Sequence, residues 1–341
     1  MGAWGVAAGF IGSIVGSGFA SGREIYQFFS PSGTGGLWGL GLATALFVLL
    51  GATVLWAIGH WDAHSYRVVL QRTLGPVAPV ADYVFFGFVY LTLAVVLSGG
   101  AAFVDQELHM AAPLGLAVFA GLTLWVERSG AQRAQQISWY MVALLAGLAI
   151  AVTSAAAAVL PMPRLQPGTP RDWPVTASLY VSYNVVLALS TLPAYRSAKL
   201  SDRLVGAVLG GLLLGLLATA IGLSNILLSE QIHDAPLPML IVAAKVSPVL
   251  RQLYMLAVAA ATLVASISYL SALAGRMASV IGRPVVRSAL LILGACIVAS
   301  AGLVRLVAVV YPLMGCIAIP FWLFFLVCVA RERLHLTHKQ G

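Results

Sequence analysis

Charge is scarce in this sequence. Of its 341 residues, 60% are hydrophobic, only 9% are charged and 11 are acidic. A soluble domain is roughly half apolar and about a quarter charged, so we exclude a soluble protein and predict one that crosses the lipid bilayer several times. The net charge of +8 does not indicate a nucleic-acid partner, because the basic residues lie in short clusters between apolar runs.

Cysteine and catalytic motifs are scarce as well. The three cysteines, Cys296, Cys316 and Cys328, lie in late apolar runs. An odd set at membrane depth argues against a disulfide framework or a zinc site. The sequence has no nucleophile–base motif at membrane depth and no ATP-binding loop. We therefore expect neither an enzyme nor a primary pump, and no cofactor other than a coupling ion.

Long apolar runs, in contrast, fill most of the chain. A bilayer core requires about 20 apolar residues in a helix, and we identify ten such runs. We predict an all-α integral membrane protein with ten transmembrane helices. The predicted spans are 3–29, 36–59, 82–104, 108–126, 135–160, 174–195, 204–228, 252–275, 286–304 and 306–330.

Three longer loops separate these runs, at 60–81, 161–173 and 229–251. The first is amphipathic and is expected at the membrane interface. The third contains PMLIVAAKV, which is too short to span the bilayer and is expected to form a re-entrant or lid helix.

The basic residues orient the predicted helices. With the N-terminus in the cytoplasm, most of the 19 Lys and Arg residues fall on the cytoplasmic side, as the positive-inside rule requires. We therefore predict a multi-pass protein of the cell (inner or plasma) membrane with both termini in the cytoplasm.

The Pro-rich segment at 161–173 divides the chain almost in the middle. Five predicted spans precede it and five follow, so the second half must enter the membrane from the opposite side. This is the geometry of an inverted repeat, which many secondary transporters use. We predict a single domain, 1–341, with repeats at 1–160 and 174–330, the linker at 161–173 and a cytoplasmic tail at 331–341.

The first span contains GSIVGSGFASGREIYQFF, from Gly12 to Phe29. Glycine costs roughly 1 kcal/mol relative to alanine inside a helix, so we expect the helix to be interrupted between Gly16 and Gly22. Unwound backbone at membrane depth is tolerated where it lines a cavity, and its free amides and carbonyls can bind charged groups. We weigh two alternatives. The GxxxG spacing also suits a helix-packing face. A phosphate loop is disfavoured because no strand precedes the glycines.

The segment GSGFASGREIYQFF, Gly16 to Phe29, resembles the first-helix signature of the YkvI-type amino acid permeases. These are a branch of the amino acid–polyamine–organocation superfamily. The resemblance implies the leucine-transporter fold, a 5+5 inverted repeat in which helices 1 and 6 are interrupted. It implies fold and transport more strongly than it implies a substrate.

The substrate site is expected between the first and sixth predicted helices. In the first helix the candidates are Gly16, Ser17, Gly18, Phe19, Ser21 and Gly22. In the sixth, Ser182-Tyr183-Asn184 is the polar triplet at the middle, and we choose Tyr183 and Asn184. This helix has no glycine, which disfavours a clean interruption, and these side chains could instead hold the helix bundle together.

A coupling ion is expected nearby. By resemblance to sodium-coupled relatives, Ser266 and Ser268 in the eighth predicted helix would bind Na⁺ with backbone carbonyls near Gly9, Ile11 and Gly12. Hydroxyl and carbonyl oxygens suit such a hard cation. The alternative is that these are ordinary serines of a membrane helix.

Glu24 is the acidic residue best placed near the membrane midplane, and an intramembrane ionisable group is a functional candidate by default. It could bind an amine, carry a coupling proton or form a gate with Arg23, or it could simply pin its helix. Asp105 and Glu107 are interpreted as residues of a solvated loop.

These observations predict a secondary transporter of a small organic solute, an amino acid or related amine, driven by a Na⁺ or H⁺ gradient. A monomer would suffice, and the oligomeric state stays open. The alternatives are a ligand-binding membrane sensor of the same fold, like a germinant receptor, and a channel.

Overall fold

The computed structural model describes the backbone of residues 2–160, 172–228 and 231–340. The side chains of 34, 129–139, 142 and 334–340 lie outside this description, as does most of the predicted linker at 161–173. The helices are α1 (Ala3–Ile14), α2 (Ser17–Ala20), α3 (Arg23–Phe29), α4 (Thr34–His60), α5 (Tyr66–Leu74), α6 (Ala78–Leu108), α7 (Ala112–Val159), α8 (Trp173–Ala188), α9 (Leu200–Leu227), α10 (Pro238–Val246), α11 (Pro248–Arg276), α12 (Pro284–Ala299) and α13 (Leu303–Gln340).

The described residues are almost entirely helical, as predicted. Five stretches are long and apolar enough to cross a membrane, namely Gly35–His60, Tyr66–Leu108, Leu200–Leu227, Pro248–Arg276 and Leu303–Arg333. Shorter apolar helices, such as Ala3–Ile14 and Pro284–Ala299, lie among them. The chain is therefore a helical membrane protein.

The fourth and fifth predicted spans are joined in one helix. The 48-residue α7 covers both, and at about 1.5 Å per residue it is about 70 Å long, far more than one bilayer crossing requires. The connecting sequence ERSGAQRAQQ has one glycine and no proline, and most of its residues favour a helix. Polarity alone therefore does not end the helix, and ten separate helices are not observed in the described residues.

The two short helices expected outside the spans are both present. The amphipathic loop at 60–81 contains α5, which buries Val69 and Leu70. The PMLIVAAKV segment forms α10, which packs against α7, α9 and α11. At the other end of the chain, α13 continues through Gln340, so the residues predicted as a tail extend the last helix.

Helix α9 positions the first helix in the molecule, since α1 and α4 both pack against it. A methyl group at Gly210 would stand 2.9 Å from Phe10 of α1, and one at Gly211 would stand 2.7 Å from the backbone nitrogen of Val48 in α4. Small residues let membrane helices approach closely. The glycines of α9 thus allow α1 and α4 to pack closely against this helix.

Candidate substrate site at the interrupted first helix

The first helix is interrupted twice within the predicted segment. α1 ends at Ile14 and the four-residue α2 begins at Ser17, with Gly16 between them in an extended conformation. The second interruption is at Gly22, whose φ of 81° is left-handed. Only glycine adopts this conformation without strain, so Gly22 allows the chain to turn into α3.

Three consecutive carbonyls at the second interruption, those of Ala20, Ser21 and Gly22, accept hydrogen bonds from outside the first helix, and the Gly22 carbonyl also keeps its helical bond from Tyr26 N at 2.9 Å. Buried carbonyls need partners, and each of these accepts a hydrogen bond from a different neighbouring helix. The bonds run from the Tyr254 hydroxyl of α11 to Ala20 (2.7 Å), from the Met239 amide of α10 to Ser21 (2.9 Å) and from the Asn225 side chain of α9 to Gly22 (3.0 Å).

The Glu24 carboxylate lies inside the protein beside the short helix α2. Its residue is 4% exposed, and the Tyr183 hydroxyl donates to Oε2 at 2.9 Å. Tyr311 and the backbone of Phe19 also lie close enough to interact with this carboxylate. A methyl group at Gly18 would collide with Oε1. The glycine at position 18 therefore makes room for the acidic side chain of position 24.

No cation is paired with Glu24 among the residues that the structure describes. The neighbouring Arg23 turns away, and its Nη1 donates to the carbonyls of His233 at 2.7 Å and Ala235 at 3.3 Å. The predicted gate between Arg23 and Glu24 therefore does not exist as a direct ion pair in this conformation.

Four tyrosines from three helices surround the carboxylate. Tyr183 of α8 stacks on Tyr311 of α13, with ring centroids 4.7 Å apart, and Tyr180 packs edge-on against Tyr183 at 5.8 Å. Tyr269 of α11 lies near enough to interact with the charge of Glu24. The Tyr180 hydroxyl is fully buried and has no hydrogen-bond partner within the described part of the chain.

Helix α8 contributes side chains rather than unwound backbone. It runs without a break through Ser182-Tyr183-Asn184 and ends at Ala188, and a short 3₁₀ turn, Leu192–Tyr195, follows. The interruption of the sixth predicted helix thus lies after the polar triplet. The Asn184 side chain donates to Tyr180 O at 2.9 Å within its own helix, so Tyr183 is the member of the predicted pair that reaches Glu24.

The other candidates of the first helix lie close to the two interruptions. Ser17 is buried, and its hydroxyl has no partner among the described residues. It faces α6, where a methyl group at Gly99 would stand 3.1 Å from its Oγ. The Ser21 hydroxyl donates to Gly18 O at 3.1 Å and Phe19 is fully buried. Their role in binding a substrate stays a prediction.

The serines chosen for sodium form hydrogen bonds within α11 and to α7. The Ser266 hydroxyl contacts Thr123 Oγ1 of α7 at 2.7 Å, and Ser268 donates to Val264 O within α11. Gly9 packs against the Tyr195 hydroxyl, and the half-buried Gly12 lies in α1. The Na⁺ assignment to Ser266, Ser268 and the carbonyls near Gly9 and Gly12 stays a prediction. Within the described ranges, no group of three or more His, Cys, Asp or Glu residues could hold a metal.

A lid segment, residues 231–246, covers the end of α3. Tyr26 contacts His233 Nδ1 at 3.0 Å, and the Gln106 side chain of α6 accepts from Leu237 N at 3.2 Å. Near this segment, Glu107 pairs with Arg251 at 2.6 Å and only 3% of the Glu107 side chain is exposed. The interpretation of Asp105 and Glu107 as loop residues is therefore wrong, because α6 extends to Leu108. Asp105 is exposed as expected, whereas the Glu107 side chain is buried.

Sequence reasoning identified Glu24 and Tyr183 but missed their partners. Tyr311, Tyr269 and Tyr254 each lie more than 200 residues from the first helix, in apolar runs where an aromatic residue resembles ordinary core. Asn225 offered a signal, because a buried amide in an apolar membrane helix needs a hydrogen-bond partner.

The fold is that of known membrane transporters. The chain aligns over 96% of its length with a Na⁺-coupled sialic acid symporter (TM-score 0.64, 15% identity, 79% of that chain). It aligns to the same extent with an inward-facing conformation of Mhp1 (TM-score 0.57, 14% identity, 76% of that chain) and with a manganese transporter of Eremococcus coleocola (TM-score 0.58, 14% identity, 78% of that chain). The protein therefore has the leucine-transporter fold, as predicted, and its structural relatives are transporters rather than enzymes.

In sequence, the chain is similar to the uncharacterized membrane protein YkvI of Bacillus subtilis (strain 168). The two are 28% identical over 327 residues, which covers 92% of each chain. No family model matches the sequence. The similarity to YkvI that Gly16–Phe29 first indicated thus extends along nearly the whole chain.

Proposed function

We propose that this protein is a secondary active transporter that moves a small organic solute by alternating access. The interrupted first helix carries this proposal, because it brings polar backbone and the Glu24 carboxylate into a buried tyrosine cluster. Intramembrane carboxyl groups are costly and mark transport pathways. Substrate sites of secondary transporters also lie at discontinuous helices near the midplane.

The substrate is an amino acid or a related amine, and a Na⁺ or H⁺ gradient drives its movement. The resemblance to YkvI-type permeases supports the substrate class, and the fold of the sialic acid symporter supports ion coupling. Glu24 and Tyr183 contact the substrate or the coupling proton, and Gly16, Ser17, Gly18, Phe19, Ser21 and Gly22 supply the adjacent backbone and side chains. A monomer suffices for this function, and the protein lies in the cell membrane with both termini in the cytoplasm.

Uptake into liposomes tests this function. The purified protein is reconstituted, and the accumulation of radiolabelled leucine, lysine, glutamate, putrescine and 2-phenylethylamine is measured with an inward Na⁺ gradient, an inward H⁺ gradient or neither. We expect saturable accumulation of one solute class, driven by one gradient and abolished when an ionophore dissipates it. Empty liposomes and a Gly41→Ala variant, whose added methyl group meets no atom within 4 Å, are the controls.

The alternatives give different results in the same assay. Binding of a labelled solute without accumulation would support a membrane sensor and overturn transport. A flux that does not saturate and far exceeds the turnover of alternating access would support a channel. If no solute of the panel binds or accumulates, the assignment to amino acids and amines is wrong.

A further inference from the structure

The anion in the candidate site belongs to the protein itself. The Glu24 carboxylate accepts a hydrogen bond from Tyr183, and Tyr311 and the backbone of Phe19 lie close enough to interact with it. These are the hydroxyl and amide donors that a substrate carboxylate would otherwise use at the interrupted helix. Because Glu24 already engages them, a ligand that carries its own carboxylate would find donors occupied and a like charge beside it.

The same position is well suited to a positive charge. Glu24 has no cationic partner among the described residues, since Arg23 donates to the carbonyls of His233 and Ala235. A buried carboxylate is costly unless a cation or a proton compensates it. Tyrosine ring faces also attract cations, and Tyr180, Tyr183, Tyr269 and Tyr311 all lie around the carboxylate.

The Tyr180 hydroxyl provides an independent observation. It is fully buried beside Glu24 and lacks a hydrogen-bond partner in the described structure. A buried polar group without a partner is uncommon and needs an explanation. An ammonium group at Glu24 has several N–H donors, and one of them can satisfy the oxygen of Tyr180.

We propose that the transported solute is a small organic cation without a carboxylate, whose ammonium group binds Glu24 within the cluster of Tyr180, Tyr183, Tyr269 and Tyr311. This inference rests on the proposed transport function and narrows its substrate class from amino acids to amines. The stacked rings of Tyr183 and Tyr311 must separate for a ligand to enter, so a flat or slender amine is favoured.

Matched ligand pairs test the inference. The melting temperature of the purified protein is measured with 2-phenylethylamine and phenylalanine, isoamylamine and leucine, histamine and histidine, and cadaverine and lysine. A ligand that binds only the folded state raises this temperature by mass action. We expect one or more amines to raise it and the amino acid of the same pair to have no effect at equal concentration.

A carboxyl-to-amide change at two positions identifies the binding group. In Glu24→Gln we expect roughly tenfold to hundredfold weaker amine binding, since a hydrogen bond to a charged group is lost. Asp105→Asn makes the same chemical change at an exposed position and should bind normally. Tyr180→Phe should fold normally and bind the amine more weakly.

Each other outcome overturns a defined part of the proposal. Amino acids that bind as well as their amines, or an amine that binds Glu24→Gln with wild-type affinity, would refute the cation site and leave transport intact. If Glu24→Gln binds the amine with wild-type affinity but its transport no longer responds to an H⁺ gradient, Glu24 would be the carrier of the coupling proton. Amine binding without uptake into liposomes would support the site and refute transport. If Glu24→Gln does not fold, the comparison of amine and amino acid within each ligand pair still tests the cation site. Glu24→Asp then replaces Glu24→Gln as the variant.

Discussion

The first helix and α8 meet at the same buried carboxylate but contribute to it in different ways. The first helix is interrupted at Gly16 and Gly22, and the carbonyls at its second interruption accept hydrogen bonds from neighbouring helices. α8 continues through its polar triplet, and Tyr183 alone reaches Glu24. The two interruptions of the first helix thus combine glycine with hydrogen-bond partners from other helices, whereas the unbroken part of α8 supplies only side chains to the carboxylate.

Gly22 offers the largest test of this difference. Gly22→Ala places a side chain at a φ of 81° and 2.8 Å from Met239, which should cost about 2–4 kcal/mol through strain and overpacking. Gly16→Ala, on the same segment, meets no atom within 4 Å and should be neutral or stabilising by up to about 1 kcal/mol. Thermal unfolding of both variants in one detergent measures the contrast. Equal melting temperatures would show that the second interruption is not fixed by Gly22.

Gly18→Ala tests whether the glycine serves the carboxylate. The added methyl group would collide with Glu24 Oε1, so the side chain must move, at a cost of about 1–3 kcal/mol. We expect ligand binding to fall more than the stability does. The Gly41→Ala variant provides the baseline for both measurements. Normal ligand binding by Gly18→Ala would show that the position of the Glu24 side chain does not affect ligand binding.

A pair of Tyr→Phe changes compares bonded and unbonded hydroxyls. Tyr254→Phe removes the donor to Ala20 O and should destabilise the protein by about 1–3 kcal/mol, because a buried carbonyl loses its partner. Tyr180→Phe removes a hydroxyl without a partner in the described residues and should leave stability unchanged or slightly higher without ligand. The reverse ranking in thermal unfolding would contradict the hydrogen-bond assignment at the second interruption.

Ser182→Ala should have the smallest effect. Its hydroxyl donates to Leu179 O of its own helix at 3.0 Å and to Gly315 O at 3.1 Å. Neither bond supports an interruption, so we expect a loss of less than about 1 kcal/mol and unchanged ligand binding. A large loss of binding would place backbone near the triplet in the site after all.

The sequence predicted the parts of this molecule that depend on local order. Apolar runs predicted most helices, and the glycines between Gly16 and Gly22 predicted the interruptions, because both follow from neighbours along the chain. It did not predict that α7 is continuous, since polarity at 127–134 resembles a loop. It also missed Tyr311, Tyr269 and Asn225, whose partners are set by packing between distant helices.

The bond from the Met239 amide to the Ser21 carbonyl ties the lid segment directly to the second interruption. Moving the lid away exposes both groups, and water must replace the lost hydrogen bond. The equilibrium between covered and uncovered arrangements thus depends on hydration. Sucrose and similar osmolytes are excluded from protein surfaces and favour burial. Raising their concentration should therefore favour the arrangement in which the lid segment covers the second interruption, even though the osmolyte does not bind to the protein.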